Sequence, residues 1–167
     1  MLKLLKIKKG PDFYSSRSHR WIKNDSLIKR CFDLYLENKS QVIRNFERKH
    51  GLIEFIPASA KLGCSLMTQK KIPLILIFPD LIQIMKSASP ERALGVLFHE
   101  IGHLVNEHSF KDISPLQAQI EADFFAYKHG FGVALQEVLL DYEEDINCKV
   151  RIARLSQEYY KNFKKAS

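Results

Sequence analysis

Two histidines and a glutamate fall within the five residues HEIGH, at positions 99, 100 and 103. Residues four apart on an α-helix differ by about 40° in direction, so His99 and His103 can point both imidazoles at one Zn²⁺ ion. Glu100 projects about 100° away from His99, which suits a general base acting on a metal-activated water better than it suits a ligand. The spacing therefore predicts metal-assisted hydrolysis.

The flanking residues argue that this stretch is more than a polar helix surface. HExxH is a short motif, and a core histidine or an exposed His-Glu-His set could produce it by chance. Apolar residues surround it, however, at Leu97, Phe98, Ile101 and Leu104. Burying two imidazoles and a carboxylate without a shared partner would be costly, and a metal ion supplies that partner. Gly102 is unfavourable in a helix interior by about 1 kcal/mol relative to alanine, which predicts that another segment approaches closely there.

Helix start and stop signals define the second half of the chain. Ser89 and Pro90 begin a helix over ERALGVLFHEIGHLVNEH, and Ser114 and Pro115 begin one over LQAQIEADFFAYKHG that ends at Gly130. The stretches GVALQEVLLDYEED and INCKVRIARLSQEYYKNF predict two closing helices. The motif therefore lies on a broad, apolar helix that should be central to the fold.

The first half combines two helices with a small sheet. Asp25 precedes a helix over LIKRCFDLYLEN, and a second helix over SQVIRNFERKH stops at Gly51. LIEFI, KLGCSLMT and IPLILIF have strand-like patterns, and a short helix begins at Pro79. Pro73 and Pro79 predict that the last strand lies at a sheet edge. The fold class is α+β, with a small, partly antiparallel sheet and a mostly helical C-terminal half.

The chain resembles the small gluzincins, a group of compact zinc metallopeptidases that includes the minigluzincins, the ImmA/IrrE-like peptidases and the core of CAAX-prenyl/HtpX-type peptidases. ALGVLFHEIGHLV, the following QIEADFFAYKHGFG and the preceding IPLILIFPDLIQIM carry the resemblance, which covers roughly residues 50–132. It implies a zincin-like fold with an edge strand packed on the HExxH helix. It also implies a zinc metalloendopeptidase in which Glu100 activates the zinc-bound water.

The resemblance implies a third zinc ligand, and the sequence departs from the family there. The family pattern E-x-x-A-D, aligned on Ala122 and Asp123, puts the ligand at position 119, which is glutamine. We predict Glu121 as the ligand, because a carboxylate binds Zn²⁺ well and a neutral amide binds it poorly. Positions 119 and 121 are about 200° apart on a helix, so this requires a rotated helix. Two alternatives stay open: Gln119 faces a weakened or empty site, or the ligand is one of Glu107, His108 and Asp112.

The resemblance also implies roles around the metal. Asp123 would accept a proton from the outer nitrogen of a zinc histidine; the alternative is an ordinary exposed acid. An extended peptide would pair with the edge strand by β-augmentation, through Leu74, Ile75, Leu76, Ile77 and Phe78. The candidates for oxyanion stabilisation are Tyr142, Tyr159, Tyr160 and His108. We expect surface or capping roles for His19, His50 and His129.

Composition limits the setting and the partners. The 167 residues carry a net charge of +7 and form one predicted domain, 1–167, with a basic, peripheral segment at 1–24 and closing helices at 133–167. The charge is dispersed and no nucleic-acid motif accompanies it, which argues against nucleic acid. Three scattered cysteines predict a reducing, cytoplasmic setting, and the longest apolar run is too short to span a bilayer. The expected partner is a peptide or protein substrate. The alternative function is a catalytically weak or inactive regulatory module that acts with a protein partner.

Overall fold

The protein is a mostly helical α+β structure, as the sequence predicts. The structure, a computed structural model, describes residues 12–59, 63–67, 72–142 and 144–166. The α-helices are α1 (Arg20–Lys23), α2 (Ser26–Glu37), α3 (Gln41–His50), α4 (Pro79–Lys86), α5 (Glu91–Val105), α6 (Pro115–Lys128), α7 (Gly132–Leu140) and α8 (Ile146–Ala166). The strands are β1 (Glu54–Pro57), β2 (Gly63–Met67) and β3 (Pro73–Ile77).

β3 lies in the middle of the three-stranded sheet, whose order is β1-β3-β2. It pairs with β1 in parallel and with β2 in antiparallel orientation. The prediction that this strand is an edge is therefore wrong. Pro73 is the first residue of β3 and Pro79 the first of α4, so neither proline removes an N–H from the interior of the ladder.

This topology also corrects the predicted substrate strand. Because β3 has a hydrogen-bonded neighbour on each side, residues 74–77 cannot accept a further strand, and Phe78 is already the cap residue before α4. Among the described strands, β2 is an edge strand, and it packs on α5 more extensively than β3 does. The side chains of Ile75 and Ile77 are instead fully buried in the core.

α5 is the central helix. Every residue from Ala93 to Gly102 on it is buried, and its neighbours include α4, α6, α7 and β2. A helix that is apolar almost all round must be enclosed by other elements. The HExxH residues therefore lie inside the molecule rather than on an exposed amphipathic helix.

The described part of the N-terminal segment is integrated into the core, contrary to the peripheral position expected for residues 1–24. Phe13, His19 and Ile22 are 6%, 0% and 0% exposed. His19 Nδ1 lies 2.8 Å from the Phe13 carbonyl, and His19 Nε2 accepts the Phe55 N–H of β1 at 3.1 Å. The surface role expected for His19 is thus also wrong, because both ring nitrogens are used to join this segment to the sheet. Residues 1–11 lie outside the described residues.

The helix caps predicted at Asp25 and Ser114 are present. The Asp25 carboxylate accepts the backbone N–H groups of Leu27 and Ile28, and the Ser114 hydroxyl accepts that of Gln117. Pro115 occupies the first turn of α6, and Gly130 follows that helix with φ +87°. These caps fix where α6 starts and ends, and hence which of its residues face α5.

α7 and α8 form the closing helical part of the chain. α8 packs against α6 and α7, which brings Arg151 of α8 toward α6. None of the helices in the described ranges is both long enough and apolar enough to cross a membrane.

Candidate metal centre

His99 and His103 converge on one face of α5. Their Nε2 atoms are 3.1 Å apart, and the two rings stand nearly perpendicular, at 84°. His99 is 5% exposed and His103 is half-buried. The spacing of four residues therefore brings the two imidazole nitrogens to one point, as predicted.

Gly102 lets α6 approach this point. A Cβ atom at position 102 would lie 2.9 Å from Phe125 Cβ and 3.0 Å from Ala122 Cα. Both distances are too short for an ordinary side chain, so α5 and α6 could not pack this closely around alanine. The close approach expected at this glycine is found, and the helix that approaches carries positions 119, 121 and 123.

Asp123 holds the outer nitrogen of His99. Its carboxylate lies 2.8 Å from His99 Nδ1 and accepts two bonds of 2.7 Å from the Arg151 guanidinium. Burial acts to raise the Asp123 pKa, but the hydrogen bonds from Arg151 and His99 outweigh it and hold that pKa below its usual value. An ionised carboxylate only accepts hydrogen bonds, so the hydrogen of His99 lies on Nδ1 and points away from the histidine pair.

Arg151 was not among the residues singled out from the sequence. It is one of 26 lysines and arginines and lies 28 residues after Asp123, so no motif spacing connects the two. Only the packing of α8 on α6 reveals the contact. A buried carboxylate, such as that of Asp123 at 1% exposure, requires a cationic partner. The burial of Asp123 is therefore the signal that points to an arginine or lysine beside it.

Gln119, not Glu121, faces the histidine pair. The Gln119 side-chain nitrogen is 3.4 Å from His103 Nε2. Glu121 turns away from that atom and lies 3.1 Å from His108 Nε2. Glu121 is therefore not at the ligand position, contrary to the sequence-based prediction, because residues 119 and 123 share one face of α6 while residue 121 is about 200° from 119.

The other proposed third ligands also lie elsewhere. His108 Nδ1 is 2.8 Å from the outer nitrogen, Nδ1, of His103 rather than from Nε2. Glu107 forms ion pairs with Lys49 and His50, and Asp112 is exposed. Among the described residues there is no cluster of three or more His, Cys, Asp or Glu side chains that could hold a metal.

His103 is a neutral imidazole. Its pKa is lowered to about 3, first by burial and then by the electrostatic effect of the neighbouring imidazoles of His99 and His108. Its Nδ1 is engaged with His108, and a hydrogen on that nitrogen would leave the lone pair on Nε2. Neutral imidazole nitrogen is the form that binds metals.

The donor set fits zinc at two positions and weakly at a third. His99 and His103 both direct Nε2 at one point while their Nδ1 atoms are held by other groups, and a shared cation can join two imidazole acceptors. Gln119 can add an amide oxygen by rotating its terminal group, since the amide orientation is set by hydrogen bonding. An amide is neutral and binds Zn²⁺ more weakly than a carboxylate does.

Glu100 is buried beside this pair, at 8% exposure. No hydrogen bond or ion pair among the described residues engages its carboxylate. The three tyrosine candidates for oxyanion stabilisation make no described contact with the histidine pair: Tyr142 and Tyr160 are 41% and 73% exposed, and Tyr159 packs on Tyr127. The fourth candidate, His108, contacts the outer nitrogen of His103. Glu100 is thus the uncommitted acid adjacent to the site.

A comparison with protein families finds one match. The model of peptidase family M48 matches residues 66–152, slightly more than half of the chain. The match begins in β2, ends in α8 and contains His99, Glu100, His103, Asp123 and Arg151. No curated protein and no solved structure matches the chain. The chain belongs to peptidase family M48, a family of zinc-dependent metallopeptidases.

Proposed function

We propose that the protein is a zinc-dependent endopeptidase in which His99, His103 and the side-chain oxygen of Gln119 hold the metal. The convergence of two Nε2 atoms at 3.1 Å carries the proposal, because both outer nitrogens are committed to other groups and leave the lone pairs for a shared cation. When bound, zinc supplies a Lewis acid that polarises the scissile carbonyl and lowers the pKa of the attacking water.

Glu100 is the general base in this proposal. It takes a proton from the attacking water and later delivers it to the leaving amine. Its position directly after His99 and its lack of described partners support this role. A carboxylate already committed to an ion pair would be a weaker base.

Asp123 and Arg151 orient the site. The Asp123 carboxylate fixes His99 with its hydrogen on Nδ1, and Arg151 compensates the buried negative charge. Metal-binding histidines commonly donate their outer N–H to a carboxylate, which sets the ring orientation and raises the basicity of the ligand.

An extended peptide would lie along β2 rather than β3. β2 is at the edge of the described sheet and packs on α5. Strand addition supplies backbone hydrogen bonds to a substrate without demanding a particular sequence. We therefore propose residues 63–67, and not residues 74–78, as the strand that pairs with the substrate.

We also propose a cytoplasmic setting, which rests on the three scattered cysteines of the sequence. Cys31 and Cys148 are free thiols among the described residues. Burial raises the Cys31 pKa to about 12, and a buried thiol of this kind is inert.

Gln119 favours a second candidate function: a catalytically weak or inactive module, similar to the minigluzincin and ImmA/IrrE-like groups that the sequence resembles, acting with a protein partner. The specific observation is that an amide stands where a carboxylate would be the stronger ligand. In this case the fold and the histidine pair persist, while zinc is held too weakly for efficient hydrolysis.

Replacement of Glu100 by glutamine tests the first candidate. We expect Glu100→Gln to retain wild-type zinc content and to lose peptide hydrolysis by about 10²–10⁴-fold, because it removes the proton acceptor and no ligand. Zinc content is measured by elemental analysis, and peptide hydrolysis is measured with unstructured peptides as substrates. Glu91→Gln, at the start of the same helix, is the matched control and should behave as wild type. Wild-type protein without stoichiometric zinc, or a fully active Glu100→Gln variant, would contradict the proposal.

A further inference from the structure

Two hydrogen bonds connect His103 to His108 and His108 to Glu121. His108 Nδ1 is 2.8 Å from His103 Nδ1, and His108 Nε2 is 3.1 Å from a Glu121 carboxylate oxygen. His108 is 9% exposed, so water does not compete freely for its nitrogens. The second metal histidine thus has its own outer partner, as His99 has in Asp123.

The backbone after α5 is bent to bring His108 to this position. α5 ends at Val105, and Glu107 adopts a left-handed conformation with φ +53°. A 3₁₀-helical turn over His108–Phe110 follows at once. A left-handed conformation is unfavourable for a residue other than glycine or asparagine. The turn therefore has a local cost, and it returns His108 to the helix that it has just left.

Glu121 is held in place from the other side. The Gln117 side-chain nitrogen donates, at 3.0 Å, to the Glu121 oxygen that does not contact His108. Lys111 Nζ lies 3.9 Å from the Glu121 oxygen that does contact His108. One Glu121 oxygen faces the Gln117 amide N–H and the other faces His108 Nε2, with the Lys111 ammonium beside it. This arrangement of donors makes the carboxylate an acceptor of hydrogen bonds on both sides.

The Glu121 carboxylate determines which ring nitrogen carries the hydrogen, first on His108 and then on His103. Because Glu121 accepts at His108 Nε2, the His108 ring hydrogen lies on Nε2 and the ring presents its lone pair on Nδ1. A hydrogen bond between two Nδ1 atoms needs one donor, so His103 Nδ1 carries the hydrogen. The lone pair of His103 is consequently fixed on Nε2, the atom that faces His99.

We propose that His108 and Glu121 are positioning residues that fix the tautomer and ring orientation of His103 and thereby strengthen metal binding at the pair. This rests on the proposed function, since it concerns the same metal. Glu121 is therefore not a ligand in this proposal. It acts on the metal ligand His103 through two hydrogen bonds, one to His108 and one from His108 to His103. Glu121 and His108 orient His103, and Asp123 orients His99. Together they preorganise a site that has an amide, and not a carboxylate, at position 119.

The first test reads the tautomer directly in the full-length, metal-free protein. Long-range ¹H–¹⁵N spectra distinguish a protonated Nδ1 from a protonated Nε2 on each histidine. We expect His103 in wild type to be the Nδ1–H form, and we expect the His108→Phe variant to show a mixture of the two forms. A wild-type His103 in the Nε2–H form, or a His103 spectrum that does not change in the variant, would overturn the proposal.

The second test measures zinc affinity by competition with a chromophoric chelator. Loss of outer partners of this kind costs about 10–100-fold in metal affinity, and we expect that loss for His108→Phe. His108→Asn should recover part of it, because the amide oxygen can accept from His103 Nδ1. Glu121→Leu should give an intermediate loss. Asp112→Asn removes one charge from the neighbouring exposed loop and is the matched control, with wild-type affinity.

Two results of the affinity measurements count against the relay, by which we mean the hydrogen bonds from Glu121 through His108 to His103: equal affinities for wild type and His108→Phe, or no recovery in His108→Asn. Should His108→Phe fail to fold, the wild-type tautomer and the His108→Asn and Glu121→Leu affinities still decide. Failure of the relay is distinguishable from failure of the proposed function. A wild-type protein that binds zinc and cleaves peptides while His108→Phe is unchanged refutes only the relay, whereas the tautomer is measurable even if no zinc binds.

Discussion

At the residue scale, the nature of the site depends on the amide at position 119. Two neutral imidazoles and one neutral amide leave the full charge of a divalent ion uncompensated, whereas a carboxylate would offset one unit of it. To bind the metal, the Gln119 amide also has to give up the hydrogen bond that it makes with His103 Nε2 in the metal-free protein. We therefore expect a site that is well oriented but weaker than one with two histidines and a glutamate.

Gln119→Glu should convert the weak third ligand into a strong one. We expect zinc affinity to rise by at least about 10-fold, because a carboxylate suits Zn²⁺ better than an amide does, and peptide hydrolysis to rise with it. Chelator competition and peptide cleavage measure the two effects. Gln157→Glu adds the same charge at an exposed position of α8 and should change neither. A Gln119→Glu protein that binds zinc no more tightly than wild type would show that residue 119 is not a ligand.

At the element scale, two glycines of α5 set how closely its neighbours approach. A Cβ at Gly102 would meet the α6 backbone, and a Cβ at Gly95 would meet the α7 backbone, 2.7 Å from Leu135 N. Alanine would otherwise favour a helix by about 1 kcal/mol over glycine. The glycines are thus kept for packing, and only the α6 contact borders the histidine pair.

Alanine substitutions at these glycines separate stability from metal binding. We expect both Gly95→Ala and Gly102→Ala to lower the free energy of unfolding by about 1–3 kcal/mol, as overpacking does, when measured by urea denaturation. Only Gly102→Ala should also weaken zinc binding, since α6 carries Gln119 and Asp123. Equal zinc affinities in the two variants would contradict the assignment of α6 to the metal site.

Sequence patterns predicted what is local and missed what depends on helix rotation and long-range packing. Asp25 and Ser114 cap helices through short-range hydrogen bonds, so their roles could be predicted from neighbouring residues. The edge position predicted from Pro73 is wrong because a proline at the first residue of a strand is compatible with a central position as well as an edge. The choice between Gln119 and Glu121 depends on how α6 is rotated against α5, which the motif alone does not determine.

At the scale of the whole molecule, the N-terminal segment and the sheet are joined through a buried histidine. Burial lowers the pKa of His19 below its usual value, outweighing the hydrogen bond with the Phe13 carbonyl and the carboxylate of Glu54, which raise it. The folded protein therefore keeps His19 neutral where the unfolded chain takes up a proton. This linkage stabilises the fold fully above the unfolded pKa, about 6.5, and is lost as the pH falls from there toward the lower folded pKa.

His19→Phe should remove this pH dependence. At pH 8 we expect the variant to be less stable by about 1–3 kcal/mol, because the Phe13 carbonyl and the Phe55 N–H lose their partner. The difference from wild type should shrink as the pH is lowered from about 6.5, since only wild type loses the His19 contribution. Urea denaturation at several pH values measures the difference. A difference that stays constant between pH 8 and pH 5 would contradict a neutral, buried His19.

A crystal structure of the zinc-soaked protein, with anomalous diffraction recorded at the zinc edge, shows which side chains bind the metal. We predict one zinc peak at the Nε2 atoms of His99 and His103, with the Gln119 side-chain oxygen as the third protein ligand and Glu121 still on His108. A structure without zinc at the histidine pair, or with Glu121 bound to the metal, would contradict it.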